Sequence, residues 1–168
     1  MGAGLVGGRG VVGACGLPAP PQSDPIITSR VPVCPVEGVR IEPGVDDAAM
    51  GLRVATVRMI NCGTGVYRVN GYPAVKVVGG ETTVRHGSAG IAVVDGFDAP
   101  PAPVVLQPGE IATTGLMWRN TVTDVNTPPT VGSGVDVAPL PGKGWQRVTM
   151  TIDLGTTGEL GVRAWTKP

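Results

Sequence analysis

Residues Gln146–Leu154 read Gln-Arg-Val-Thr-Met-Thr-Ile-Asp-Leu, and this stretch decides the fold class. From Val148 to Leu154, apolar residues occupy every second position and polar residues lie between them. A period of two is typical of a β-strand with one buried face and one exposed face. The stretch therefore predicts a strand at the surface of a β-structure.

The residues that follow predict a partner strand. Gly155-Thr156-Thr157-Gly158 is a hairpin-type link. After it, the apolar residues Leu160, Val162 and Ala164 alternate with Gly161, Arg163 and Trp165. This alternation predicts a last strand over residues 160–165.

Further strands are predicted between turn signals such as Gly-Gly, Pro-Gly, Asp-Gly and Pro-Pro, which end strands. They cover residues 38–42, 52–61, 67–70, 74–78, 91–94, 104–106, 110–119 and 135–138. No helical stripe recurs, although Pro43–Met50 suggests a single helical turn. Many short strands spaced by turns predict an all-β fold, an immunoglobulin-like β-sandwich of short antiparallel strands.

Composition supports one globular domain and excludes several classes of function. The chain has 168 residues, of which 42% are hydrophobic, too many for a disordered protein. Thirteen basic residues balance thirteen acidic ones, so no basic excess favours nucleic-acid binding. Ten arginines against three lysines, with abundant glycine, alanine and proline, indicate a GC-rich bacterial genome.

The N-terminus predicts export. Val12-Gly13-Ala14-Cys15 has the residue types of a bacterial lipobox, so residues 1–15 are interpreted as the remnant of an export signal and Cys15 as a lipidation site. No apolar run reaches the roughly 18 residues of a spanning helix, so the expected membrane contact is the lipid anchor alone. The alternative is a cytoplasmic protein with a glycine-rich tail.

Gly2, Gly4 and Gly7 spell a dinucleotide-binding fingerprint, but its context is missing. That fingerprint needs a strand before the glycines and a helix after them. No strand fits before Gly2, and the glycine-rich run that follows is a poor helix former. We therefore predict no cofactor.

Residues 16–32 are rich in proline, which favours an extended spacer, and residues 33–168 form the predicted β-sandwich domain. Lipidation of Cys15 would leave Cys34 and Cys62 as an even pair inside this domain. Export favours a disulfide between them, whereas two buried free thiols are the expectation for a cytosolic protein.

Several short motifs follow one another in a familiar order. Asn61-Cys62 precedes Gly71-Tyr72-Pro73; Leu106-Gln107-Pro108-Gly109 and Trp118-Arg119-Asn120 come later. With Cys34 at the start, this order resembles the secreted actinobacterial family catalogued as domain of unknown function 4232, over residues 33–168. The resemblance implies export, frequent lipid anchoring and a β-sandwich, and it implies no mechanism.

The aromatic residues are interpreted first as structural. We expect Tyr72 at a sandwich corner, with its hydroxyl on a backbone group, and Pro73 at the start of a strand. Of Trp118, Trp145 and Trp165, at least one should lie in the core. A recognition role for Tyr72, Pro73 and Trp118 is the alternative.

No catalytic or metal-binding apparatus is evident. His86, the single histidine, is interpreted as a surface-loop residue, and the Ser88 motif His-Gly-Ser-Ala-Gly is not a nucleophile elbow. The methionines are expected to pack in the core rather than bind copper. The two acidic clusters, Asp46-Asp47 and Asp95–Asp98, are interpreted as solvated turn residues without the spacing of a Ca²⁺ loop.

The sequence thus predicts a non-catalytic, exported binding or interaction domain of the cell envelope, held outside the membrane or secreted. The expected partner is an envelope protein or glycan. A metal carrier or enzyme centred on His86 and a purely structural assembly partner are the alternatives.

Overall fold

Ten strands build the domain, and nine of them overlap strands that the spacing of apolar residues and turn signals predicts. In the computed structural model, residues 1, 2, 4 and 32–168 are described, and the chain divides into units of residues 1–32 and 33–168. The predictions for Cys15, the export signal and most of the spacer lie outside the described residues. The strands are β1 (Val39–Ala49), β2 (Leu52–Asn61), β3 (Tyr67–Val69), β4 (Ala74–Val77), β5 (Thr83–His86), β6 (Val104–Leu106), β7 (Ile111–Arg119), β8 (Val131–Ala138), β9 (Gln146–Asp153) and β10 (Glu159–Val162).

Two main sheets form a sandwich-like structure, which confirms the predicted all-β fold class. The larger sheet has the order β1-β2-β7-β10-β5, and the smaller has the order β4-β8-β9. Strands β3 and β6 form a separate pair. Neighbouring strands are antiparallel except β5 and β10, which are parallel. No helix occurs in residues 32–168, and among the described residues none has the length and apolar character needed to cross a membrane.

Apolar side chains from both sheets share one core. The larger sheet contributes Val57, Leu116 and Leu160, and the smaller contributes Val135 and Ile152, all without solvent exposure. Ile152 and Leu160 fall on the alternating positions from which their strands were predicted. Burial of the apolar face of each sheet is the main stabilising contribution to such a fold.

The stretch suggested as a helical turn is instead the second half of β1. Pro43–Ala49 pairs with β2, with a register shift between Pro43 and Asp46. Met50 and Gly51 then adopt φ angles of 49° and 81°, the positive pair that a type I′ hairpin turn requires. The helical suggestion was wrong because pairing with β2 outweighs the weak local preference of this segment.

Two further strand predictions also need correction. Ile91–Val94 lies in an irregular segment, where Ala89 and Gly90 have positive φ and turn the chain. Strand β5 was missed because Thr83–His86 is mostly exposed and lacks apolar alternation. It forms an edge of the larger sheet.

The last strand was predicted too long. Strand β10 ends at Val162, and the chain then turns Trp165 into the core, where its exposed fraction is 1%. The indole Nε1 of Trp165 donates a hydrogen bond to the Pro139 carbonyl oxygen at 2.7 Å. Trp165 therefore lies in the core, as expected of at least one of the three tryptophans.

The predicted disulfide is present. Cys34 and Cys62 are bonded, and their Cα atoms are 5.6 Å apart, inside the range that a disulfide spans. Next to it, the backbone N–H groups of Cys62 and Gly63 both donate to the Gly38 carbonyl oxygen. The bridge fixes the start of the domain to the end of β2.

Candidate functional site: a groove between two sheet edges

Gln146 joins the edges of the two sheets at one end. Strands β1 and β9 are the outermost strands of their sheets on this side. The Ile41 backbone N–H donates to Gln146 Oε1 at 2.9 Å, and Gln146 Nε2 donates to the Val39 carbonyl oxygen at 3.0 Å. The amide side chain thus bonds to β1 much as a neighbouring strand would.

A groove of about 480 Å³ lies between the second half of β1 and β9. Its β1 wall begins at the register shift that follows Pro43. Gly44 belongs to this wall, and its position favours glycine because an added Cβ would lie 2.9 Å from the Thr56 carbonyl oxygen. The bulge, which bends an edge strand locally, therefore shapes the groove. The full lining comprises Pro43, Gly44, Val45, Asp46, Asp47, Arg53, Val54, Ala55, Thr56, Trp118, Thr149, Met150, Thr151 and Asp153.

The lining combines buried and partly buried apolar side chains with an unpartnered polar atom. Trp118 on β7 is 4% exposed, and Met150 on β9 is partly buried against the core. The indole Nε1 of Trp118 has no hydrogen-bond partner among the described residues. This atom is enclosed, so it adds no accessible polar surface to the groove, and a buried donor without an acceptor costs stability.

Three acidic residues belong to this lining. Asp46 and Asp47 belong to β1 and Asp153 ends β9. In residues 32–168, none of the three forms a salt bridge. Arg53 is the one basic residue of the lining, and its Nη1 donates to the Leu52 carbonyl oxygen at 3.1 Å. The groove is therefore locally acidic in a chain whose formal net charge is zero.

The predicted recognition residues do not form one site. Trp118 contributes to the groove, whereas Tyr72 and Pro73 are not among its lining residues. Pro73 is buried immediately before β4. The Tyr72 hydroxyl makes no hydrogen bond in the described part of the chain; instead, the Tyr72 ring stacks on His86 with ring centres 3.9 Å apart. The expected backbone contact of the Tyr72 hydroxyl is thus replaced by ring stacking.

His86 lies at the end of the edge strand β5 rather than in a loop, and it is exposed as predicted. In the part of the chain that the structure describes, no three His, Cys, Asp or Glu side chains come together in a way that could hold a metal ion.

The methionines differ in their environments. Met59 and Met117 are fully buried, in agreement with core packing, but Met50 is fully exposed at the β1–β2 turn. The core prediction is therefore wrong for Met50, because the hairpin turn carries its side chain into solvent.

Trp145, unlike Trp118 and Trp165, lies outside the core and on a surface away from the groove. Trp145 is 46% exposed, and Lys76 Nζ lies 4.1 Å from the centre of its ring. This distance permits a cation–π interaction. Trp145 does not line the groove.

The acidic clusters have different surroundings. Asp46 and Asp47 lie on β1, not in a turn, because the strand continues through them. Asp98 accepts hydrogen bonds from the Ser88 N–H at 2.6 Å and the Ser88 hydroxyl at 2.8 Å. These two bonds, the backbone one first, lower the pKa of Asp98 because they favour its ionised form. Asp98 therefore holds the loop after β5 together.

Sequence reasoning missed the groove itself. Its walls come from segments about 100 residues apart, and no local pattern reports how two sheet edges approach each other. The one local signal is Pro43-Gly44, a pair that interrupts regular strand pairing.

These features define a disulfide-bonded, sandwich-like β-domain with an acidic groove at one edge. The family model of DUF4232, a domain of unknown function, matches residues 34–166. The chain therefore belongs to the DUF4232 family, which confirms the resemblance seen in its motifs. Comparisons with curated proteins and with solved structures found no match.

Proposed function

We propose that this domain is a non-catalytic binding module of the cell envelope and that its ligand occupies the groove between β1 and β9. The observation that carries the proposal is the groove itself, in which apolar residues lie beside three acidic residues that form no salt bridge within residues 32–168. Concave sites with an apolar lining and a few polar groups are the usual form of binding sites. The exposed edges of both walls add backbone groups with which a ligand can pair.

The envelope location is part of the same proposal. The Cys34–Cys62 disulfide supports it because such bonds persist in oxidising compartments. The lipobox-like sequence before Cys15 supports export followed by lipid anchoring. The motifs shared with secreted actinobacterial proteins support an actinobacterial source.

Two alternatives have less support. A metal carrier or enzyme would have to use His86, whose ring stacks on Tyr72 and which belongs to no group of three potential ligands within residues 32–168. Metal analysis of the purified protein tests this alternative, because unit copper content lost in His86→Ala would favour it. A purely structural assembly role would leave the groove empty.

Site-specific photo-crosslinking in native cells tests the proposal. A benzophenone amino acid replaces Thr151, an exposed residue of the groove wall, and in a matched variant it replaces Thr83 on the exposed edge strand β5. We expect a discrete crosslinked product from position 151 and none of that mass from position 83. Equal products from both positions, or none from position 151, would contradict binding in the groove.

A further inference from the structure

The chemistry of the groove points to a ligand class. We infer that it receives a lysine or arginine side chain carried on an extended segment of a partner protein. This inference rests on the proposed binding function and narrows it from an unspecified ligand to one kind of protein segment.

The groove combines an apolar lining with acidic residues. Val54, Ala55, Met150 and the ring of Trp118 offer apolar surface, and Asp46, Asp47 and Asp153 add carboxylates to the same groove. Lysine and arginine side chains have the matching character, because they bury a methylene stem along apolar surface and keep a charged head outside. A neutral apolar side chain would contact the apolar lining, but it would leave the carboxylates without a cation.

Within residues 32–168, the domain leaves the negative charge of the groove carboxylates without a salt bridge. Among the described residues, salt bridges pair Arg40 with Glu42 and Arg147 with Asp136, both at 2.6 Å. Asp46, Asp47 and Asp153 form no such pair, although Arg53 belongs to the same lining. The Asp47 and Asp153 carboxylates each accept a backbone hydrogen bond, from Ala48 N–H at 2.7 Å and from Gly155 N–H at 3.0 Å. An incoming cation would therefore meet carboxylates whose charge no basic side chain of residues 32–168 compensates.

Both walls of the groove are edge strands. Beyond the bulge, β1 continues as the outer strand of its sheet for four residues, Asp46–Ala49, and β9 is the outer strand of the other sheet. An extended protein segment can pair its backbone with such an edge while alternate side chains enter the adjoining groove. A backbone partner together with a cationic side chain favours a protein segment over a small amine.

Peptide titration followed by NMR tests the inference. The isotope-labelled protein is titrated with acetyl-Ala-Lys-Ala-Lys-Ala-amide and with the same peptide carrying norleucine in place of lysine. We expect shifts at groove residues with the lysine peptide, affinity about tenfold tighter than for the norleucine peptide, and weakening by added salt. The double variant Asp46→Asn/Asp47→Asn should lose this preference, whereas Asp95→Asn, an exposed acid outside the groove, should keep it.

The peptide results test the ligand class independently of the proposed binding function. Equal binding of the two peptides in the groove would overturn the cationic ligand and leave groove binding intact. Absence of binding by the lysine peptide would also overturn the ligand class, and crosslinking from Thr151 would still decide whether the groove binds a partner. Unchanged urea midpoints would show that the aspartate variants remain folded.

Discussion

At the scale of single residues, Gln146 connects the two sheets, a role that its position in the sequence does not predict. It begins the strand whose alternation is clearest in the sequence, yet its side-chain amide bonds to two backbone groups of β1. Which partner a glutamine at a strand start will find depends on tertiary packing, so sequence periodicity predicts the strand but not this contact.

Gln146→Ala should destabilise the domain. The substitution leaves the Ile41 N–H and the Val39 carbonyl oxygen without their present partners, and we expect a loss of about 1 to 3 kcal/mol in the free energy of unfolding. Urea unfolding measures it. Gln107→Ala, at an exposed position, is the matched control and should change little. Equal stability of the Gln146 variant would contradict the role given to this side chain.

Ser88→Ala should raise the pKa of Asp98. The variant removes the hydroxyl bond and keeps the stronger backbone bond, so the pKa should rise only part of the way toward its usual value of about 3.9. A carbon-detected NMR titration of the carboxyl group measures this, with Ser133→Ala as control. Because the folded-state pKa is lowered, the stabilisation from ionised Asp98 is present above pH 4 and is lost as pH falls through that pKa. An unchanged pKa in Ser88→Ala would contradict this assignment.

At the scale of elements, the accuracy of prediction follows burial. Strands β2 and β9 alternate because each presents one face to the core, whereas β7 is buried on both faces from Thr114 to Trp118. All three were predicted within one residue of their observed bounds. The edge strand β5 has little buried surface and so gave no signal. The apolar residues Ile91–Val94 gave a false strand signal, because turns built on Ala89 and Gly90 precede them.

Gly44→Ala should disturb the bulge of β1. The new Cβ would lie 2.9 Å from the Thr56 carbonyl oxygen and 3.0 Å from Thr56 Cβ, so the backbone must shift. We expect a loss of about 1 to 3 kcal/mol by urea unfolding. At Gly65 an added Cβ meets nothing within 4 Å, and Gly65→Ala should stay within about 0.5 kcal/mol of the parent. Similar effects of the two substitutions would argue against a constrained bulge.

At the scale of the whole molecule, the disulfide restricts the conformations that the unfolded chain can adopt. Cys34 and Cys62 are 28 residues apart, and the loop that they close predicts a stabilisation of about 3 to 4 kcal/mol on the chain-entropy estimate. The variant Cys34→Ala/Cys62→Ala should lose that amount in urea unfolding, and reducing agent should affect the parent but not the variant. Reductant-insensitive stability of the parent protein would contradict this.

The sequence predicted the overall architecture, but it did not predict the groove. Alternation and turn residues are local, and they predicted an all-β sandwich. The groove arises where β1 passes its bulge and meets β9 across the gap between sheets, so Asp46 and Asp153 become neighbours of one cavity only through the fold. The same reason explains why Trp118 was predicted as a core or corner residue without a groove beside it.

Hydrogen exchange tests the central claim, binding in the groove between β1 and β9, most directly. Deuterium uptake of the intact protein is measured with and without a solubilised envelope fraction from native cells. The account predicts slower exchange in residues 43–49 and 149–153, with no change around Tyr72 and His86 or around Lys76 and Trp145. Protection at either of those two surfaces without protection of the groove would contradict it, and so would an unchanged exchange pattern throughout the domain.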